Sequence, residues 1–327
     1  MNKLRYFQRF AVGFAGACVA LAAVSAQAQY PSKLIRFIVP FPPGGGMDTV
    51  ARAVGEKLSP RLGQPIVVEN KPGAGTTIGT DAAGKSAPDG YTFLFGPVAG
   101  QAMEQHIRAK RVVDIQRDFA AVVGIGHGTV VLVVPQASRA KSVAELVALA
   151  KANPGKLTFA SAGTGVINHL TGELFMQVTG VEMTHVPYKG TQQFLPDLLD
   201  GRVDMAFDSL PAYLPHLKSG RLRALAVAAP ERAKALPEVP TMAEAGAPGV
   251  LSQTDYAIFA PAGAPREAIM RINRETNAVL QMDELRSRLA AQGIEVTGGS
   301  SEALQAELAE EITKWGRVIR EAKIPPQ

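Results

Sequence analysis

Two glycine-rich stretches stand where a strand gives way to a helix, and they carry most of the chemistry this sequence offers. The first lies in "FPPGGGMDTVARAVGEKL", residues 41–58, after the apolar run "LIRFIVP". The second is "AGTG", residues 162–165, between "KLTFAS" and "VINHLTGELFMQVTG". Glycine lets backbone N–H groups approach a ligand closely, and a helix N-terminus favours negative charge. Two such turns aimed into one gap suit a carboxylate. The amides of Gly44, Gly45 and Gly46, with the hydroxyls of Thr49, Ser161 and Thr164, could hold its oxygens without lysine or arginine. Hydrogen bonds to an ionised group are worth roughly 1.5–3 kcal/mol each. Offset by the entropy of association, a few of them fit micromolar binding.

Several other side chains sit beside these turns. Asp48 opens the first helix, where capping is the ordinary role of an aspartate. Asp208 follows the strand "VDMAF" and either faces the cleft or caps the next helix. His169 lies in the first turns of the helix after "SAGTG", as a ligand contact or a polar helix residue. Tyr188, in "VPYKG", offers an aromatic wall and a phenol donor, and Lys189 a counter-charge or a solvated side chain. Phe41 packs over an apolar ligand body or fills the core. His127, in "GIGHG", reads as a loop residue.

Catalytic patterns are scarce. There is no G-x-S-x-G elbow, since Ser161 sits in "FASAG". There is no H-E-x-x-H and no His/Asp/Glu cluster with metal spacing, so no catalytic residue, metal or cofactor is expected. "GTDAAGKS", residues 79–86, matches the phosphate-loop pattern, but an alanine-rich stretch precedes it and Pro88 and Gly90 break the chain after it. "GAGTTIG", residues 73–79, misses the dinucleotide fingerprint by one residue, although its amides could line a cleft. The enzymatic alternative is a secreted hydrolase or isomerase using His169 and Asp208, which needs those two side chains within hydrogen-bond reach.

Short apolar runs alternate with amphipathic stretches from Ile35 onward, as in "PIVVEN", "YTFLFG", "VVLVVP" at 130–135, "VEMTHVPY", "LRALAVAA" and "YAIFAP". Strands alternating with helices imply parallel sheets covered on both faces. The 327 residues suffice for two cores. The expected fold is α/β, with two doubly wound domains joined by two hinge strands near "VLVVP" and "YAIFAP". Domain 1 would comprise residues 29–127 plus 257–327, and domain 2 residues 128–256. A cleft between two hinged domains is a favoured ligand site.

Residues 1–28 read as a secretory signal peptide. Lys3, Arg5 and Arg9 precede the apolar "FAVGFAGACVALAAV", and "AQA" at Ala26–Ala28 supplies small residues for cleavage. Its removal lowers the formal charge from +5 to about +2, which gives no case for nucleic-acid binding. It also removes Cys18, the single cysteine, so no disulfide or thiol chemistry is expected of the mature chain.

Seven motifs in order resemble the Bug family of periplasmic solute receptors, the TctC-like binding components of tripartite tricarboxylate transporters. They are "VPFPPGGGMDTVAR", "VVENKPGAGTTIG", "SAGTGVINHLTGELF", "HVPYKGTQQFLPDLLDGRVDMAFD", "GRLRALAVAAPERAKALPEVPTMAEAG", "IFAPAGAP" and "KWGRVIREAKI". The resemblance implies a Venus-flytrap fold in the periplasm, a bound carboxylated metabolite and no catalysis. It implies a monomer that delivers its ligand to membrane transporter subunits, or alternatively one that informs a membrane signalling partner. It also implies a pincer gripping one carboxylate, partly through ordered water. Carried onto this chain, one jaw holds Phe41, Gly45, Gly46 and Asp48. The other holds Ser161, Gly163, Thr164, Gly165 and His169, with Tyr188 and Asp208 beyond. Such receptors often carry Asn or Gly where this chain has Ala162 and Thr164.

Overall fold

A computed structural model describes residues 30–107, 113–188, 190–324 and Pro326. The expected signal peptide and Lys189 lie outside the described residues. The chain runs β1 (Ile35–Val39), α1 (Gly46–Leu62), β2 (Ile66–Asn70), α2 (Thr77–Gly84), β3 (Thr92–Gly96), α3 (Val98–Ile107), α4 (Ile115–Asp118) and β4 (Phe119–Pro135). It continues through α5 (Val143–Ala152), β5 (Thr158–Ser161), α6 (Ile167–Thr179), β6 (Thr184–Pro187), α7 (Thr191–Leu199), β7 (Met205–Ser209), α8 (Leu214–Lys218) and β8 (Leu222–Val227). Then follow β9 (Gln253–Pro261), α9 (Arg266–Leu280), α10 (Asp283–Ala290), β10 (Ile294–Val296) and α11 (Ser301–Glu321).

Alternating apolar residues explain the layers. Along β1, Phe37 and Val39 face one core while Ile38 faces another. The first core packs α1, α9 and α10 on one face of a sheet, and the second packs α2, α3 and α11 on the other. Two further cores flank a second sheet, one under α5 and α6 and one under α7. The first sheet has the order β2-β1-β3-β9-β4-β10, and the second β6-β5-β7-β4-β8. The fold is that of a two-lobed, periplasmic-binding-protein-like α/β protein.

The parallel strands expected of each lobe are joined by antiparallel ones. β1, β2 and β3 are parallel, as are β5, β6 and β7. However, β9 is antiparallel to β3, and β4 is antiparallel to β7, β8, β9 and β10. Both sheets are mixed: β9 and β10 run against β1–β4 in the first, and β4 runs against its neighbours in the second.

β4 is also longer than "VVLVVP". It starts at Phe119, and residues up to Thr129 pair with β9. From Val130 onward its partners are β7 and β8. Glycines hid the first half of this strand and made "GIGHG" read as a loop. The structure shows why they are there. A Cβ added at Gly126 would lie 2.2 Å from the Glu295 carbonyl oxygen of β10. One at Gly128 would lie 3.3 Å from the Tyr256 hydroxyl. Register shifts beside Val122 and Ile125 bend the strand at the same place.

The lobes touch outside the shared strands. Leu170 and Leu174 of α6 join the core that contains Met103, Ile107 and Trp315. The Gln177 side chain donates to the Val318 carbonyl of α11 at 3.1 Å. Among the described residues no helix is long and apolar enough to cross a membrane.

The packing at Gly126 yields a stability prediction. Gly126→Ala must push β10 away from β4, at a cost of about 1–3 kcal/mol. Urea unfolding should show a lower midpoint with an unchanged slope. A midpoint equal to wild type would mean that this approach is loose.

Candidate functional site

The two glycine loops leave the carboxyl ends of β1 and β5, the side of an open α/β sheet where ligands bind. Each opens a helix that no side chain caps. α1 has Gly45 at its cap position and α6 has Val166. The first-turn amides of each helix therefore lack side-chain partners.

Both loops are held by the same device. Asp48, third residue of α1, accepts the Gly44 N–H at 2.9 Å. His169, third residue of α6, accepts the Gly165 N–H through Nδ1 at 3.0 Å. In each case a side chain one turn into the helix reaches back past the cap to the residue before it. Asp48 thus does not occupy the cap position expected for it, and it removes the Gly44 amide from the donors open to a ligand. Gly45 and Gly46 stay exposed.

Asp48 is itself fully engaged. Oδ2 also accepts from Arg52 Nε at 3.1 Å, and Oδ1 accepts from Asn70 Nδ2 at 2.9 Å. Burial pushes this carboxyl up, but hydrogen bonds from Arg52, Gly44 and Asn70 outweigh it and leave the acid stronger than an ordinary aspartic acid. Asn70 also donates to the Phe41 carbonyl at 3.1 Å, and the Phe41 side chain packs on the core of the first lobe. Thr49 contributes its backbone N–H to the Gly45 carbonyl, at 2.9 Å.

Ser161 is fully buried and its hydroxyl is committed within its own lobe. Oγ accepts the Gly163 N–H at 3.1 Å and lies 2.8 Å from the Gly163 carbonyl and 2.6 Å from His185 Nε2. In this structure the hydroxyl shapes the loop. His185 stacks on His169 with ring centroids 3.9 Å apart. Burial, helped by the neighbouring His169, pulls the His185 imidazolium down to about 3, so the ring is neutral. Gly163 takes φ +141° and Gly165 φ +80°, so a side chain at either position would be strained. A Cβ on Gly165 would also lie 2.5 Å from Ile107 Cδ1, which brings this loop against the first lobe. Thr164 is half-buried between them.

The remaining expected residues divide. The Tyr188 hydroxyl donates to Asp197 at 2.7 Å and the ring packs on Phe194, so its phenol serves α7 rather than the cleft. Asp208 is buried and caps no helix. It accepts from Thr191 Oγ1 at 2.6 Å, Ser209 N–H at 2.7 Å and the Tyr213 hydroxyl at 3.0 Å. Burial pushes its carboxyl up against those bonds. Its hydrogen-bond partners differ from those of His169, which holds Gly165 and approaches Glu173. The loop "GAGTT" takes positive φ at Gly73, Ala74, Gly75 and Thr76 in succession, a strained turn next to β1. Gly79 lets α2 approach that region, since a Cβ there would meet Lys71 O and Pro40 Cα at 2.7 Å. Two cavities, of about 600 and 530 Å³, lie away from both loops, beside α9 and beside β10.

The chain matches the model of the tripartite tricarboxylate transporter family receptor over residues 50–324. It belongs to this receptor family. It is 39% identical to protein BugT of Bordetella pertussis over 326 residues, 98% of each chain. An R. palustris protein solved with adipate superposes with a TM-score of 0.85 at 35% identity, over 91% of this chain and 100% of that one. MatC from Rhodopseudomonas palustris, solved with malate, gives 0.81 at 30% identity, over 89% and 100%.

Two residues of this receptor's site escaped the sequence reading. Asn168, second residue of α6, is buried, and its side chain approaches Asp208 closely enough to favour the carboxylate. Yet Nδ2 has no well-formed hydrogen bond. Tyr256 on β9 is buried, with its hydroxyl beside Ser209 and adjacent to Gly46 and Gly128, linking the first loop to the second lobe. Asn168 stood in the quoted "GVINHL" motif as a possible signal, and Tyr256 only as one apolar position of a strand.

The neutral His185 carries a pH prediction. Its folded-state pKa lies below the free value near 6.5, so its contribution to stability is full above that pH and falls as pH drops toward 3. The stability difference between the receptor and its His185→Gln variant should therefore shrink as pH is lowered from 7.5 to 5 in chemical unfolding. A difference independent of pH would contradict the buried neutral ring.

Proposed function

We propose that this receptor captures a small organic carboxylate between its lobes and delivers it to the membrane subunits of a tripartite tricarboxylate-type transporter. In this reading it acts in the periplasm as a monomer, after cleavage near Ala28. The lobes comprise residues 29–127 with 257–327, and 128–256. The binding residues are the α1 start at Gly45, Gly46 and Thr49, and the α6 start with Gly163, Thr164 and Gly165. Asp48, Ser161 and His169 hold these turns in shape, while Phe41, Tyr188 and Asp208 flank them.

The observation that carries this reading is the Asn168 amide. Its Nδ2 lies near Asp208 without a well-formed hydrogen bond, and a buried donor left poorly satisfied costs about 1–3 kcal/mol. Asn168 stands in the first turn of an uncapped helix, where a carboxylate oxygen would accept from Nδ2 and from the turn amides together. The exposed amides of α1 offer the same chemistry on the other lobe. Adipate and malate, bound by two similar receptors, are both dicarboxylates, which makes mono- and dicarboxylates of that size the first candidates.

The test is thermal-shift screening of unfolded-and-refolded protein, which removes retained ligand. At a hundredfold excess over the dissociation constant a true ligand stabilises by about 2.7 kcal/mol. Asn168→Ala should weaken that ligand at least tenfold. The same change should cost the ligand-free protein about 1–3 kcal/mol at most, because the approach to Asp208 is the polar contact it removes. Refolded protein that no carboxylate stabilises would overturn the proposal. An Asn168→Ala variant that loses stability but keeps its affinity would remove the observation that carries it.

A further inference from the structure

Away from the glycine loops, three ligating side chains meet where the lobes are joined. His127 lies on β4 and Asp255 directly opposite it on β9. Glu307 reaches them from α11. His127 Nδ1 is 2.9 Å from Asp255 Oδ1 and 3.9 Å from Glu307 Oε1, and one donor atom from each residue lies within 4.8 Å of the other two. No sequence spacing links positions 127, 255 and 307, so this cluster exists only in the folded chain.

We propose that His127, Asp255 and Glu307 form a binding site for a divalent transition-metal ion, of which Zn²⁺ is the model. Bonds of about 2.0–2.2 Å to zinc place neighbouring donors about 3.3 Å apart. The two shorter separations fall on either side of that value, so small side-chain rotations bring all three onto one ion. One imidazole and two carboxylates suit zinc and its neighbours better than magnesium or calcium, which take oxygen alone. Water completes the coordination.

The surroundings support a cation. Among the described residues neither Asp255 nor Glu307 has an ion pair with a lysine or arginine. Nearby carboxylates are satisfied elsewhere: Glu311 by Trp315 and Lys314, Glu295 by Lys234. Asp255 is already oriented, because its Oδ2 accepts the Ala99 N–H of α3 at 3.1 Å and leaves Oδ1 for the ion. His127 also borders the cavity of about 530 Å³ beside Thr129, Gln253 and Glu295, which opens the ring to solvent.

An ion there would tie α11 to both strands that cross between the lobes. Carboxylate capture does not require it, and it can be tested without any organic ligand. Protein treated with a chelator and then freed of it is titrated with zinc chloride by calorimetry in a non-chelating buffer. One ion per chain at micromolar affinity is expected, with a rise of several degrees in the unfolding midpoint. His127→Gln and Glu307→Gln should each weaken binding at least tenfold, whereas Glu295→Gln should not. Cobalt(II) added instead should give visible absorption bands that Glu307→Gln removes. Glu307 is partly exposed on a helix, so that variant keeps the fold, which circular dichroism checks. Zinc binding of equal strength in the two ligand variants, or no binding at millimolar zinc, would overturn the proposal and leave the cluster a histidine–carboxylate contact.

Discussion

One strand belongs to two sheets, and the rest of the architecture follows from it. β4 pairs with β9 and β10 through its first half and with β7 and β8 through its second. Each half must satisfy its backbone groups within a different lobe. The lobes are thus fixed by hydrogen bonds along a single chain segment rather than by a flexible linker. The strand must bend where it changes partners. Gly126 and Gly128 remove side chains where β10 and Tyr256 press close, just before the change of partners at Val130.

This arrangement determines which ends of the sheets meet. The loops after β1 and β5 both lie at carboxyl ends, and both feed uncapped helices. Two different side chains do the same work there. A carboxylate at Asp48 and an imidazole nitrogen at His169 each hold the amide just before the cap. The loop is fixed in place while the first-turn donors are left open. The charge of Asp48 is offset by Arg52, which limits its repulsion of an anion nearby. Tyr256, against Gly46 and Ser209, spans from one loop toward the other lobe.

Charge is distributed unevenly between the junction and the loops. Around the loops the donors are amides, hydroxyls and one asparagine, all neutral. At the junction, Asp255 and Glu307 share a single histidine. The first environment favours an anion through aligned dipoles. The second concentrates negative charge in a setting where burial makes it costly.

The sequence determined much of this protein. Periodicity revealed most strands and helices, because alternation at two and at three to four residues follows from which side chains must be buried. The glycine loops were visible because only glycine tolerates the backbone that a close turn requires. The motif order also pointed to the receptor family. Tertiary structure decided what local pattern could not encode. The first half of β4 resembled a loop because its glycines answer to β10 and Tyr256, which lie far along the chain. Whether the Ser161 hydroxyl faced a ligand or His185 depended on β6 lying beside β5. Asn168 became informative only once Asp208 stood near it. His127, Asp255 and Glu307 formed a group only after two strands and a helix converged. In each case the deciding neighbour is remote in sequence, and proximity in space is what folding adds.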